Sequence, residues 1–190
     1  MKLFHLALAG FLGLAAFAGS ALSAAADDFL TIQLKDGPVV IQLMPDVAPK
    51  HVAQIEALAK KGAYDNVAFH RVIDGFMAQT GDVQYGNMAK GYNPQKAGTG
   101  GSDMPDLPAE FSKVPFKRGT VGMARAQDPN SANSQFFIMF ADGDFLNGQY
   151  TVVGKVVSGM ELVDKIKRGE GQNGEVSNPD RMVKVTVGRK

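Results

Sequence analysis

The run Gln135-Phe136-Phe137-Ile138-Met139-Phe140 constrains the fold more than any other stretch of the chain. Successive side chains of a strand point to opposite faces. After Gln135 every position here is large and apolar, so a strand at this place must be covered on both sides. An antiparallel sheet with one wet face does not provide that cover. A closed antiparallel β-barrel with a packed interior, and helices laid over its openings or wall, does provide it and leaves no strand edge exposed. A two-sheet sandwich is the alternative.

The rest of the sequence fits an all-β plan with two helices. Residues 29–34 and 39–43 alternate apolar and polar around Lys35-Asp36-Gly37-Pro38, and Asp-Gly between such runs signals a hairpin. A first helix is predicted from Pro49: Val52, Ile55, Leu58 and Ala59 form one stripe, Lys60 and Lys61 occupy the last turn, and Gly62 stands where a C-cap belongs. Strands are predicted over residues 66–73, in a short apolar segment after Asp74-Gly75, and over 120–124, 135–140, 150–157 and 181–187. A second short helix falls within residues 158–171, with Met160, Val163 and Ile166 inward. Strands and helices do not alternate as a parallel sheet requires. Residues 83–116 are rich in Gly and Pro and have no sustained period, and so long a loop in a compact domain points to function.

Residues 1–26 have a basic start at Lys2, an apolar middle and a small-residue end at Ala24-Ala25-Ala26. That order predicts a secretory signal cleaved after Ala26 and a periplasmic or secreted domain over residues 27–190. An uncleaved membrane anchor is the alternative, since residues 3–26 carry no formal charge and about 20 apolar residues span a bilayer. Loss of Lys2 turns the 20 basic and 19 acidic residues into an even balance. Such a balance gives no reason to expect nucleic acid or an anionic membrane as partner.

Several chemistries lack their residues. The chain has no cysteine, which removes disulfides, thiolate nucleophiles and Cys-ligated metals. No G-x-S-x-G elbow is present. Beyond residue 26 the histidines are His51 and His70, too few for a His-based metal site. Asp142-Gly143-Asp144 lacks the remaining ligands of a calcium loop and reads as a turn. Gly98-Thr99-Gly100-Gly101 is not followed by Lys-Ser/Thr, so it reads as backbone lying close to a bound chain rather than as a phosphate loop.

One residue resists a structural reading. In FHRVIDGFMAQTGD, residues 69–82, strand alternation puts Arg71 on the same side as Phe69 and Ile73, with His70 on the other side as a hydrogen-bonded core residue. A permanent cation among large apolar groups is costly unless it is paired or acts on something.

This stretch closely resembles the signature of the cyclophilins, F-H-R-[IV]-I-x-G-F-M-x-Q-x-G-D. GTVGMARAQDPNSANSQFFIMF and DFLNGQYTVVGKVVSGMELVDKI are similar to two further blocks of the same family, and the likeness extends over residues 29–187. It implies an eight-stranded closed antiparallel barrel with two helices and a peptidyl-prolyl cis-trans isomerase that needs no cofactor and no metal. The implied partners are proline-containing peptides and unfolded exported proteins, met by a monomer.

Carried over residue by residue, the resemblance makes Arg71 the catalytic residue, with Phe76 and Gln79 beside it. Met77, Phe137 and Leu146 join Phe76 around the substrate proline ring, and Gln135 is a polar partner of Arg71 and of the substrate backbone. Ala124 and the main chain of Arg125 line the neighbouring peptide groove, with Gly98, Thr99, Gly100 and Gly101 at its edge and Phe145 and Tyr150 on the rim. Phe69, Phe136, Ile138 and Phe140 are assigned to packing. Phe145 stands where many members have Trp, Tyr150 where they have His, and Arg125 where Asn is common. These variants resemble bacterial members, and the loss of Trp implies weak cyclosporin binding. A proline-peptide-binding module with incidental activity, and a hollow barrel storing an apolar ligand, are the competing functional readings; the bulk of QFFIMF argues against a hollow interior.

Overall fold

The computed structural model describes residues 28–189, so the expected secretory signal over residues 1–26 lies outside the described residues. The chain runs β1 (Asp28–Leu34), β2 (Gly37–Leu43), α1 (Pro49–Lys60), β3 (Val67–Ala68), β4 (Arg71–Ile73), β5 (Met77–Thr80), β6 (Thr120–Met123) and β7 (Phe136–Met139). A 3-10 turn at Asp144–Leu146 follows, then β8 (Val152–Ser158), α2 (Met160–Val163), β9 (Arg181–Met182) and β10 (Lys184–Arg189).

Eight strands form one antiparallel sheet in the order β10-β1-β2-β8-β6-β7-β5-β4. The expected closed barrel is not formed: β10 and β4 end the sheet without pairing, and the sheet is an open, curled half-barrel. Two interruptions of strand periodicity explain this. The strand predicted over residues 66–73 breaks after Ala68, and the one over 181–187 breaks at Val183. The pieces β3 and β9 pair with each other in a separate ribbon. The free edge of β4 is covered by irregular chain, with Val72 N donating to Gly174 O, Gly169 N to Val72 O and Val176 N to His70 O. Covering an edge with a loop satisfies its backbone groups without closure.

The registers decide which side chains face which way. Ala78 pairs with Ile138 and Ile138 with Val121, and these point into the curl. They meet Leu30, Ile32, Ile41, Phe136 and the Val52–Ile55–Leu58 stripe of α1 in the main core. On the other face Gln79 pairs with Phe137, Phe137 with Gly122, and Met77 with Met139. There Met77, Phe116, Phe137, Met139, Leu146 and Val152 form a second, smaller cluster. The two-sided apolar run of β7 therefore serves two clusters, one inside the sheet and one outside it. Burial of each large side chain contributes about 1.5–3 kcal/mol.

The break at residues 69–70 also shifts the phase of β4. Phe69 does not share a side with Arg71 and Ile73 as expected: it packs with Val72 in the main core, while Ile73 packs against the outer cluster. The second helix is one turn long, shorter than the 158–171 pattern suggests, yet Val163 and Ile166 are buried and Met160 packs against the core.

The long segment between β5 and β6 contains no helix or strand. It is tied down by side chains. Glu110 accepts from Lys50 N at 3.2 Å and His51 N at 3.1 Å, and His51 Nδ1 lies 2.6 Å from its Oε2. The carboxylate so caps the first turn of α1, whose own N-cap residue, Ala48, has no side-chain acceptor. Asn133 holds the same segment further along, accepting from Ser102 N at 2.8 Å and donating to Met104 O at 2.9 Å.

Candidate active site

Arg71 and Gln79 are direct partners across the β4–β5 ladder, on the outer face. Arg71 Nη1 donates to Gln79 Oε1 at 3.2 Å, Gln79 Nε2 to Gln135 Oε1 at 3.0 Å, and Gln135 Nε2 to Gly98 O at 3.0 Å and Gly100 O at 2.7 Å. On its other side Arg71 Nε donates to Asn173 O at 2.9 Å. A primary amide offers an acceptor at one end and donors at the other, so the chain of bonds sets both amide orientations and aims the guanidinium. Every acceptor around Arg71 is neutral, and among the described residues it has no ion-pair partner. Partial burial pulls its pKa below the ordinary arginine value, with Tyr150 opposing. It stays cationic at any working pH.

Beside the guanidinium lies a recess of about 300 Å³. Its buried floor is Met77, Phe137 and Leu146; Phe76, Phe145, Tyr150, Ala124 and Arg125 complete the wall. Phe137 is held from both sides, stacked on Phe116 at 5.8 Å between ring centres and met edge-on by Tyr150 at 6.0 Å. Phe76 leans on Phe145 at 5.5 Å, and Phe145 is the most exposed large apolar side chain described, at 65%. The 3-10 turn that carries Phe145 and Leu146 is fixed by Asn147 Oδ1 accepting from Phe116 N at 2.8 Å and by the Lys117–Asp144 ion pair. A Cβ on Gly122 would lie 2.5 Å from the Phe116 ring and 2.6 Å from that of Phe137, so only glycine lets the two rings stack over β6.

The recess opens onto a groove of about 600 Å³ lined by Gly98, Thr99, Gly100, Gly101 and Gln135, with Gln79, Ala124 and Arg125 forming a shared wall. The glycine loop is anchored by the buried Asp82 carboxylate. It accepts from Gly98 N at 2.7 Å, Gly100 N at 3.0 Å, Tyr85 N at 2.8 Å and Gln84 N at 3.1 Å. A Cβ at Gly100 would sit 2.5 Å from Asp82 Oδ1.

All fifteen residues singled out from the sequence thus lie around one recess and its adjoining groove. The packing residues Phe69, Phe136, Ile138 and Phe140 are buried in the main core. His70 is buried in the core as expected, with the Ala68 main chain and the Gln135 side chain as the hydrogen-bonding groups beside its ring. Burial pushes its imidazole pKa down, and the nearby Asp82 charge opposes this. The sequence reading missed Asp82, Asn173, Phe116 and Asn147. Asp82 closes the 69–82 stretch and could have been noticed there. Asn173 contributes only its carbonyl from 102 positions away, so no residue type marks it.

The arrangement suits a reaction in which an apolar ring is held while a cationic donor meets an atom beside it. Residues 29–187 match the family model of the cyclophilin type peptidyl-prolyl cis-trans isomerases. A probable peptidyl-prolyl cis-trans isomerase of Brucella suis is 65% identical over 184 residues, 96% of this chain and 94% of that protein. Peptidyl-prolyl cis-trans isomerase B of Escherichia coli is 37% identical over 156 residues, 73% of this chain and 83% of its own length. Among solved structures, a cyclophilin type isomerase of Cryptosporidium parvum, determined in the presence of the dipeptide Ala-Pro, superposes with a TM-score of 0.72 at 26% identity. It covers 84% of this chain and 98% of that one.

Proposed function

Because the chain belongs to the cyclophilin-type peptidyl-prolyl cis-trans isomerases, we propose that Arg71 is its catalytic residue and acts on the prolyl nitrogen of a peptide whose proline ring fills the Phe76–Met77–Phe137–Leu146 recess. Rotation about an amide bond costs about 18–20 kcal/mol because resonance must be broken. For Xaa-Pro the two end states lie within about 1 kcal/mol, so exchange is slow rather than unfavourable. No bond is made or cut, and a catalyst need only favour the twisted amide.

In the planar amide the nitrogen lone pair is shared with the carbonyl. In the twisted form it localises on nitrogen and can accept a hydrogen bond. A guanidinium aimed at that nitrogen binds the twisted form better than either planar form, which is the condition for catalysis. The relay through Gln79 and Gln135 orients Arg71 by amide oxygens and leaves its charge uncompensated. A carboxylate partner would hold it as firmly but weaken its field. The recess grips the ring by apolar burial, at about 25 cal/mol per Å². The groove beyond Gln79 holds the residues before proline, with Gln135 and the backbone at Arg125 as polar partners.

The single observation that carries this reading is the aimed, carboxylate-free guanidinium beside an apolar recess in one chain. The Ala-Pro dipeptide present with the Cryptosporidium parvum relative supports proline-containing peptides as substrates. The pattern of residues 1–26 supports export, cleavage after Ala26 and a role in folding exported chains. The recess is complete within one chain, so a monomer suffices for the site. Phe145 has no indole N–H to donate, which supports weak cyclosporin binding. Addition of the purified protein to a chain whose refolding is limited by Xaa-Pro isomerisation tests the function: the slow phase shortens in proportion to enzyme, and an unchanged slow phase contradicts it. A mass beginning at Asp27 in the exported protein checks the cleavage, and an intact mass counts against it.

A further inference from the structure

Arg125 borders both the recess and the groove. Its Nη1 donates to Ala126 O at 2.9 Å and Gln127 O at 3.1 Å, its Nη2 to Gln149 O at 3.0 Å, and the guanidinium lies 4.5 Å over the Tyr150 ring. Carbonyls thus use three of its five N–H groups, and Nε is buried without a partner. Nη2 keeps one hydrogen. Among the described residues no carboxylate pairs with it. Asp106 is the acidic side chain lining the groove, and it accepts from Asn133 Nδ2 at 2.9 Å. Arg125 is therefore a clamped, uncompensated cation at the point where recess and groove meet.

Arg125, Gln79 and Ala124 form the wall that the recess shares with this groove. With the proline ring in the recess and Arg71 at the prolyl nitrogen, the chain before that nitrogen leaves past Gln79, Ala124 and Arg125 into the groove. We propose that the Arg125 side chain, and not only its backbone, sets substrate selectivity, favouring an Asp or Glu within the two positions preceding proline. The inference rests on the isomerase reading above and adds a substrate class to it. Immobilising Arg125 through three carbonyls and Tyr150 removes much of the side-chain entropy that otherwise weakens an exposed ion pair. Arg71 also repels cationic and attracts anionic residues, so the native preference alone does not isolate Arg125. Its removal does.

The test measures kcat/KM for peptides with Glu, Gln or Lys at each of the two positions before proline, at low and high salt, for the native protein, Arg125→Gln and Arg125→Glu. Comparing peptides on one variant cancels any change in folded fraction. The expected result is an advantage of Glu over Lys of about two- to fivefold at low salt, the range of an exposed pair, shrinking as salt screens it. The ratio falls in Arg125→Gln and inverts in Arg125→Glu. A ratio of one in the native protein, or one unchanged in Arg125→Gln, overturns the inference while leaving the isomerase reading intact. Failure to accelerate any peptide overturns both.

Discussion

Arg71 faces Gln79 across the β4–β5 ladder, and the guanidinium donates to the amide oxygen at 3.2 Å. Register alone brings the two together, so the aim of the cation is built into the sheet. Gln79 in turn is held by Gln135, whose Nε2 is fixed on two loop carbonyls. Gln79→Met keeps the bulk and removes the acceptor. A hydrogen bond to a charged group is worth about 1.5–3 kcal/mol, so kcat/KM for an Xaa-Pro peptide falls about tenfold or more, mostly in kcat. An unchanged kcat shows that the relay does not orient Arg71.

Phe137 is packed between Phe116 and Tyr150 at the floor of the recess. Phe137→Leu keeps an apolar floor but loses both ring contacts, each worth about 0.5–1.5 kcal/mol. KM rises severalfold while kcat changes less, as measured by steady-state kinetics at matched folded fractions. A fall in kcat alone contradicts a binding role.

Gly122→Ala places a methyl where two stacked rings already lie, at 2.5 and 2.6 Å. Overpacking of this kind costs about 1–3 kcal/mol. The urea midpoint drops with little change in the slope of the transition. An unaltered midpoint means that the rings yield without cost.

The Glu110 carboxyl responds to acid. Burial on its own would raise its pKa, but the hydrogen bonds from His51 and Lys50 outweigh burial and hold it below the ordinary carboxylate value. A folded-state pKa below the unfolded one gives stability that is present above the unfolded value, 4.5, and is lost as pH falls through the folded one. Glu110→Gln therefore lowers the thermal midpoint at neutral pH, and the gap from the native protein narrows below about pH 4. A gap that is constant with pH contradicts the pairing.

The rate of isomerisation is flat from about pH 6.5 to 9, because Arg71 does not titrate there and His70, the buried imidazole beside it, has its pKa pushed down by burial. A change in kcat/KM appears only on the acid side of this window. A bell-shaped profile centred near neutrality contradicts a mechanism without proton transfer.

Much of this was readable in the chain of residues, for identifiable reasons. Phe136, Phe137, Ile138 and Met139 demand cover on both faces, and they have it from two clusters. Whether the sheet closes was not readable. That depends on the breaks after Ala68 and at Val183, where Phe69 N turns to Asp180 O and Val183 N to Gln33 O, bonds between residues more than a hundred positions apart. Those breaks also moved Phe69 to the core side. Local alternation cannot register such partners. At the site, side chains with distinctive chemistry, such as Arg71, Gln79 and Phe137, could be picked out from their motifs. Asn173, which acts through its carbonyl, and Phe116, one apolar residue in a loop, carry no local mark.

The most direct test is a protease-coupled cis-to-trans assay on one Xaa-Pro peptide, read together with its dissociation constant, for the native protein and Arg71→Ala. Removal of one preorganised donor costs about 2.7–4 kcal/mol, so kcat falls about 100- to 1,000-fold while peptide affinity stays within about tenfold. Equal losses of rate and affinity, or a variant that turns over like the native protein, would show that the guanidinium does not act on the twisted amide.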